Sequence, residues 1–261
     1  MLFRSNSPYA HGLLLALAGA GYRGVLMHFR GCSGEVNRLD RNYHSGDTGD
    51  IDEVIKVLMR RDRNRVYAVI GFSLGGNVLL KWLGENGANT PLTTAIAVSV
   101  PFELGACATR LNQGFSRLYQ WRLVRSMQEK YRRKFEQRKS PLRINDPGEY
   151  KTFWDYDNAV TAPLHGFKNV DDYYQQSSCR QYLKDIRIPT LILHAYNDAF
   201  VPPSAIPPAT ELSPTVSLEL TQGGGHVGFI GRDNSTRCGY WLEPRILAHL
   251  NALQHDAPLK Q

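Results

Sequence analysis

Between the apolar run Val66-Tyr67-Ala68-Val69-Ile70 and the helical stretch Asn77 to Leu83, the chain places Gly71-Phe72-Ser73-Leu74-Gly75-Gly76. A strand that must turn into a helix within so few residues leaves almost no room for side chains beside the turn. Gly71 and Gly75 meet that demand, because glycine tolerates strained dihedrals and close backbone approach. Ser73 then stands at the apex, at the amino end of a helix whose N–H groups point toward whatever reacts there. G-x-S-x-G after a buried strand and before a helix is the signature of a nucleophile elbow. The competing reading is a buried serine in a glycine-rich turn. If the elbow reading holds, the backbone N–H of Leu74 is an oxyanion donor.

A serine hydroxyl needs a base, and the base needs an orienting acid. Pro189-Thr190-Leu191-Ile192-Leu193-His194 reads as a buried strand, and Asp198 lies on the loop just past its carboxyl end. Val216-Ser217-Leu218-Glu219-Leu220 reads as the next strand, followed by Gly223-Gly224-Gly225-His226-Val227-Gly228. The order Ser73, Asp198, His226 is that of the α/β-hydrolase fold, not of the chymotrypsin or subtilisin types. His226 would carry the serine proton and Asp198 would hold its tautomer. Read separately, Asp198 could be a turn former beside Asn197 and His226 a loop cap.

Further stretches carry a resemblance across nearly the whole chain. They are Ser7-Pro8-Tyr9-Ala10-His11-Gly12, His28 to Glu35, Tyr43-His44-Ser45-Gly46, Gly71 to Asn77, Ala162 to Gly166, and Gly224 to Gly231. In these the chain resembles the YheT-like group of α/β-hydrolases. The resemblance implies a mostly parallel sheet flanked by helices, with Ser73, Asp198 and His226 at the triad positions. It also implies hydrolysis of carboxylic esters without a cofactor. The difference lies at the amino end. Members of the group carry further residues before the Ser-Pro-Tyr-Ala-His-Gly stretch, which build the first strands and a His-Gly loop donating to the oxyanion. Here Met1 to Asn6 lead directly into it, and one strand, Gly24 to Phe29, is expected before the elbow strand. The first strands are therefore expected to be missing. The chain as written should be less stable and less active than one with such residues restored.

About ninety residues separate the strand Thr94 to Val100 from the strand at Thr190. A simple crossover needs about a dozen. The expected organisation is a core of residues 1–101 and 189–261 with a helical cap of residues 102–188. From Arg122 to Arg143 nine basic residues face two acids, interleaved with apolar ones at helical spacing. That predicts an amphipathic lid helix with a solvated basic face, and leaves open a peripheral contact with anionic membrane surfaces. No nucleic-acid-binding motif accompanies the +7 net charge, so no nucleic-acid partner is expected. In the cap, His165 reads as a satisfied histidine and Asp157 as a helix cap, with the alternative that both line the substrate entrance.

Composition restricts the remaining classes. Four cysteines, Cys32, Cys107, Cys179 and Cys238, lack metal-ligand or C-x-x-C spacing, which favours a reducing, cytoplasmic setting. Arg30-Gly31-Cys32-Ser33-Gly34 reads as a structural turn at the edge of the site, with Cys32 no second nucleophile. Arg4, the apolar run Gly12 to Ala18 and Ala18-Gly19-Ala20 imitate a secretion signal, but Pro8 and the closing glycines fit a first core helix better. Asp47, Asp50, Asp52 and Glu53 read as solvated acids at the start of a helix spanning Gly46 to Met59, not as a metal site. The expectation is thus a serine hydrolase of short- to medium-chain or lipid-like esters, with no metal. The alternatives are an acyltransferase with the same triad, or a non-catalytic binding protein or truncated pseudo-enzyme.

Overall fold

The computed structural model describes residues 7–62, 66–136, 138–232 and 238–255. Helix α1 (Pro8–Gly19) begins with proline at its first turn, where the missing N–H costs nothing, and buries Leu13 and Leu17. Helix α2 (Gly49–Asp62) precedes strand β1 (Ala68–Phe72), helix α3 (Leu74–Asn86) and strand β2 (Thr94–Val98). The helices α4 (Leu104–Leu111), α5 (Ser116–Phe135), α6 (Phe153–Tyr156), α7 (Ala162–Leu164) and α8 (Val170–Ser177) follow. Strands β3 (Thr190–Ala195) and β4 (Val216–Thr221), a ribbon of β5 (Ile230–Arg232) and β6 (Cys238–Tyr240), and helix α9 (Leu242–His255) complete the chain.

The strands β1-β2-β3-β4 lie in that order and all pair in parallel. A parallel sheet covered on both faces needs strands that are apolar on both sides, and β2 and β3 are buried at every position. Ala95, Ala97 and Ile192 meet Leu79, Leu83 and Trp82 of α3 and Ile51 and Ile55 of α2. Ile96, Val98, Leu191 and Leu193 on the other face meet Leu13 and Leu17 of α1 and Ile246 and Leu250 of α9. This is the α/β fold with helices on both faces that the strand–helix alternation predicts. The segment Gly12 to Ala18 is thus spent on the core. No helix among the described residues is long and apolar enough to cross a membrane.

Three expectations need correction. Residues Gly24 to Phe29 form no strand. Met27 and Phe29 pack against the α2–α3 side of the core, and Phe29 stacks on Tyr43 at 5.0 Å. The run is only partly buried, with Val25 53% exposed, and forms no ladder. The stretch Met1 to Asn6 lies outside the described residues. Second, the α2 carboxylates are not all left in water. Arg41 reaches Asp47 and Asp50, and Arg30 also pairs with Asp50. Asp47 is buried, and burial raises its carboxyl above the ordinary range. Among the described residues no histidine, cysteine and acid cluster could hold a metal. Third, the basic face of α5 is not uniformly solvated. Lys134 is buried and donates to the carbonyls of Asp40 and Arg41 and to Asn42 Oδ1. Arg138 donates to the carbonyls of Asn37, Arg38 and Leu39.

The elements between β2 and β3 form two apolar clusters of their own. Leu104, Ala108 and Ala162 gather with Tyr173 and Tyr174, while Val124, Tyr131, Tyr156 and Val160 gather beside them. Cys179, Leu183 and Ile186, near the end of this segment, pack instead with α3 in the main core.

Candidate active site

The turn at Ser73 is as tight as its glycines imply. Ser73 has φ 50° and ψ −119°, a region that non-glycine residues rarely occupy. Its backbone is held by a bond from its N–H to the Val98 carbonyl of β2, 2.8 Å long. A Cβ at Gly71 would lie 2.4 Å from the Gly75 carbonyl oxygen, and one at Gly76 would lie 2.7 Å from Val100. The strand runs to Phe72, two residues beyond the expected end, because Gly71 and Phe72 still pair with Ala97 and Val98. Leu74 opens α3, so its N–H belongs to the helix terminus that lacks intrahelical acceptors.

Asp198 follows β3 by three residues. Its N–H donates to the Ala195 carbonyl at 3.1 Å, and its Oδ1 accepts from Phe200 N–H at 2.8 Å. After β4 the glycine loop turns on itself, with the N–H groups of Gly228 and Phe229 both donating to the Gly224 carbonyl. Gly224 has φ 151°, and a Cβ there would strike the Phe229 ring at 2.7 Å, so no larger residue fits the turn. Asn197 Oδ1 accepts from Gly225 N–H at 2.9 Å and ties the two loops together.

This brings the three expected residues into one line. His226 Nδ1 lies 2.8 Å from Asp198 Oδ2, and His226 Nε2 lies 2.7 Å from Ser73 Oγ. The acid side chain is fully buried and the imidazole nearly so. A carboxylate can only accept, so Nδ1 carries the proton and Nε2 is left with its lone pair toward the serine hydroxyl. The Phe200 ring packs on the imidazole, centroids 4.4 Å apart, and limits its swing.

Ser73 and His226 open into a cavity of about 630 Å³. One wall is apolar, with Leu104, Ala108, Leu111, Leu123, Met127 and Phe153. All six come from the segment between β2 and β3. Another wall is polar and includes Asp157, Thr161 and His165. Asp157 follows the last residue of α6, and its side chain caps no helix N-terminus. It sits in a turn of π-helix, Asp157–Thr161, and accepts from Thr161 Oγ1 at 2.6 Å and Tyr174 OH at 2.8 Å. His165 has ring nitrogens 2.7 Å from the Thr161 carbonyl and 3.0 Å from the Asn42 carbonyl, and since a carbonyl only accepts, a neutral ring donates to just one of the two. Cys32 lines the cavity too, and its partner is Lys130, whose Nζ lies 2.9 Å from Sγ.

Burial pushes the Asp157 carboxyl up to about 6, from an ordinary 3.8. The folded chain therefore favours the protonated acid. Its contribution to stability is full below the ordinary value and is lost as pH rises to about 6. Asp157→Asn removes that loss. The stability of this variant relative to the parent should shift in its favour by about 2–3 kcal/mol between about pH 4 and about pH 8. Denaturant unfolding at the two pH values measures it, and a difference independent of pH would contradict the assignment.

The sequence reading passed over Asn77, which organises the surroundings of the nucleophile. It is wholly buried on the first turn of α3. Its Nδ2 donates to the carbonyls of Ser45 and Ser177 at 2.7 and 2.8 Å, and its Oδ1 accepts from Cys179 N–H at 2.9 Å. The available signal was an amide inside an otherwise apolar helical run.

The whole arrangement matches the α/β-hydrolase fold family over residues 4–233. The chain belongs to that family. Among curated relatives of this α/β-hydrolase, "Putative esterase YheT" of Escherichia coli (strain K12) is 42% identical over 243 residues, 92% of this chain and 71% of that protein. Phospholipase ABHD3 of Mus musculus is 32% identical over 84% of this chain and 54% of its own length. A monoacylglycerol lipase of Saccharomyces cerevisiae is 30% identical over 90% and 53%. The chain thus spans little more than half the length of several curated relatives it matches. Among solved structures, the Pyrococcus furiosus esterase Pf2001 superposes with a TM-score of 0.60 at 16% identity, over 96% of this chain and 77% of that one. A likeness at that identity concerns the fold alone.

Proposed function

We propose that this α/β-hydrolase is a serine hydrolase of carboxylic esters that works through an acyl-enzyme. The observation that carries the reading is the continuous line from Ser73 Oγ through the His226 ring to Asp198, with spacings of 2.7 and 2.8 Å. Ser73 Oγ attacks the ester carbonyl while His226 Nε2 takes its proton. Asp198 holds the ring and stabilises the imidazolium. The oxyanion forms beside the Leu74 N–H at the start of α3, where the helix dipole also favours negative charge. His226 then returns the proton to the departing alcohol, and the alkoxy–acyl bond breaks. Water, deprotonated by His226, attacks the acyl group; the bond from Ser73 Oγ to the acyl carbon breaks, His226 returns the proton to Oγ, and the acid leaves. The chemistry uses side chains and backbone alone and calls for no cofactor.

Residues 102–188 act as the cap in this reading, since they supply the cavity's apolar wall. That wall suits short- to medium-chain or lipid-like acyl groups, whose burial contributes about 0.8 kcal/mol per CH₂. The curated relatives named as an esterase, a phospholipase and a monoacylglycerol lipase support an ester substrate.

A fluorophosphonate probe tests the reading directly. Mass spectrometry should find the phosphonyl group on the peptide holding Ser73, and Ser73→Ala should lose both the label and p-nitrophenyl ester turnover. Undiminished turnover in Ser73→Ala would sink it.

A further inference from the structure

Helix α5 is amphipathic the wrong way round in its opening turns, before Val124 enters the apolar cluster of the cap. Its early buried positions are Ser116 and Gln120, while Phe115, Leu118 and Trp121 are 82, 55 and 54% exposed. Ser116 Oγ donates to the Ala199 carbonyl, and Gln120 bonds Asn112 Oδ1 and Phe153 N–H, so the polar side of the helix is spent on the protein. A surface helix normally buries its apolar stripe, and contiguous exposed apolar side chains mark a contact surface.

Along the segment that builds this ridge the charge has one sign. From Leu104 to Gln128 the chain has four arginines and no acid. Arg117 and Arg122 are exposed and make no salt bridge among the described residues. Arg125 lies against the Trp121 ring, 5.5 Å from its centroid, with its Nε toward Glu129. Further along the helix, Lys134 is committed to the 40–42 loop and Arg132 to Asp146, while Arg133 is exposed and lines the cavity. Arg117 and Arg122 set exposed positive charge beside the apolar residues.

The ridge also adjoins the reactive groups. Tyr119 packs on Phe200 at 4.9 Å between centroids, and Phe200 packs on His226. Leu111 and Leu123, just before and within the same segment, line the cavity.

We propose that Phe115, Leu118 and Trp121, flanked by Arg117, Arg122 and Arg125, form a docking ridge for an anionic lipid surface. The aromatic and aliphatic side chains enter the headgroup boundary and the arginines meet lipid phosphates. Docking is independent of hydrolysis. Its use, which is to set the cavity mouth against a store of lipid-like esters, rests on the ester-hydrolase reading.

The test uses the Ser73→Ala protein, so that no vesicle is consumed and failure of the hydrolase reading leaves the result intact. Co-sedimentation with phosphatidylcholine vesicles, with and without phosphatidylglycerol, should show binding to the anionic vesicles that weakens as salt rises. Arg122→Gln should weaken that binding about fivefold, and Leu118→Glu by about tenfold or more. Brominated acyl chains should quench tryptophan fluorescence in the parent, and Trp121→Phe should remove most of that quenching without any demand on its fold. Equal binding by parent and Leu118→Glu, or no quenching, would overturn the proposal. So would light scattering that shows a vesicle-free dimer broken by Leu118→Glu, since the ridge would then be a contact between copies.

Discussion

Asp198→Asn is expected to lower ester turnover by about 10⁴-fold while leaving thermal unfolding nearly unchanged. The asparagine has the same shape, and its Oδ1 can still accept from Phe200 N–H. It can, however, present an N–H to His226 Nδ1. The ring then accepts there, puts its own proton on Nε2, and meets the Ser73 hydroxyl with a donor where an acceptor is needed. The measurement is kcat for a p-nitrophenyl ester beside a melting curve. Near-normal turnover would reduce Asp198 to a loop former and move the orienting role to another acid.

Asn77→Leu should have the largest effect on stability. It leaves the Ser45 and Ser177 carbonyls and the Cys179 N–H without this partner, the Ser45 group at a part-buried site. Each fully buried group costs about 1–3 kcal/mol and the part-buried one less, so a loss of about 3–6 kcal/mol is expected, against a total of about 5–15 kcal/mol. For a chain of this size the midpoint of thermal unfolding should fall by about 10 °C or more. A fall of only a degree or two would show that water replaces the amide without penalty.

The contrast between these two residues shows what the sequence could reveal. Asp198 and His226 were legible because each follows an apolar strand, and because glycines at fixed offsets announce a constrained loop. Ser73 was legible for the same reason. Asn77 was not, since a buried amide is recognised by the backbone groups it satisfies, and Ser45, Ser177 and Cys179 are remote in the chain. The run Gly24 to Phe29 misled for a related reason. An apolar run suggests burial, but a strand also needs a ladder, and here Met27 and Phe29 are partly buried outside any ladder while Val25 is exposed. The basic residues of α5 misled in the opposite sense. Charge density suggested a face in water, yet Lys134 finds three oxygen acceptors in the 40–42 loop, an environment that no local pattern encodes. Asp157 reads as a helix cap by residue type, and its hydroxyl partners at 161 and 174 are not signalled by the residues next to it.

Ser73, Asp198 and His226 follow the carboxyl ends of β1, β3 and β4, which are not all neighbours in the sheet. The line from Ser73 to Asp198 therefore runs across the strands, perpendicular to the direction in which each is stiff. Its two contacts depend on the twist and spacing of four ribbons, with β2 between β1 and β3. Such an assembly behaves like a gauge laid over the sheet. A slight splay between β1 and β3 opens a gap at the imidazole before any strand separates. In rising denaturant, turnover should thus disappear ahead of the loss of circular dichroism, and the interval between the two midpoints would measure how much shear the sheet absorbs before it parts.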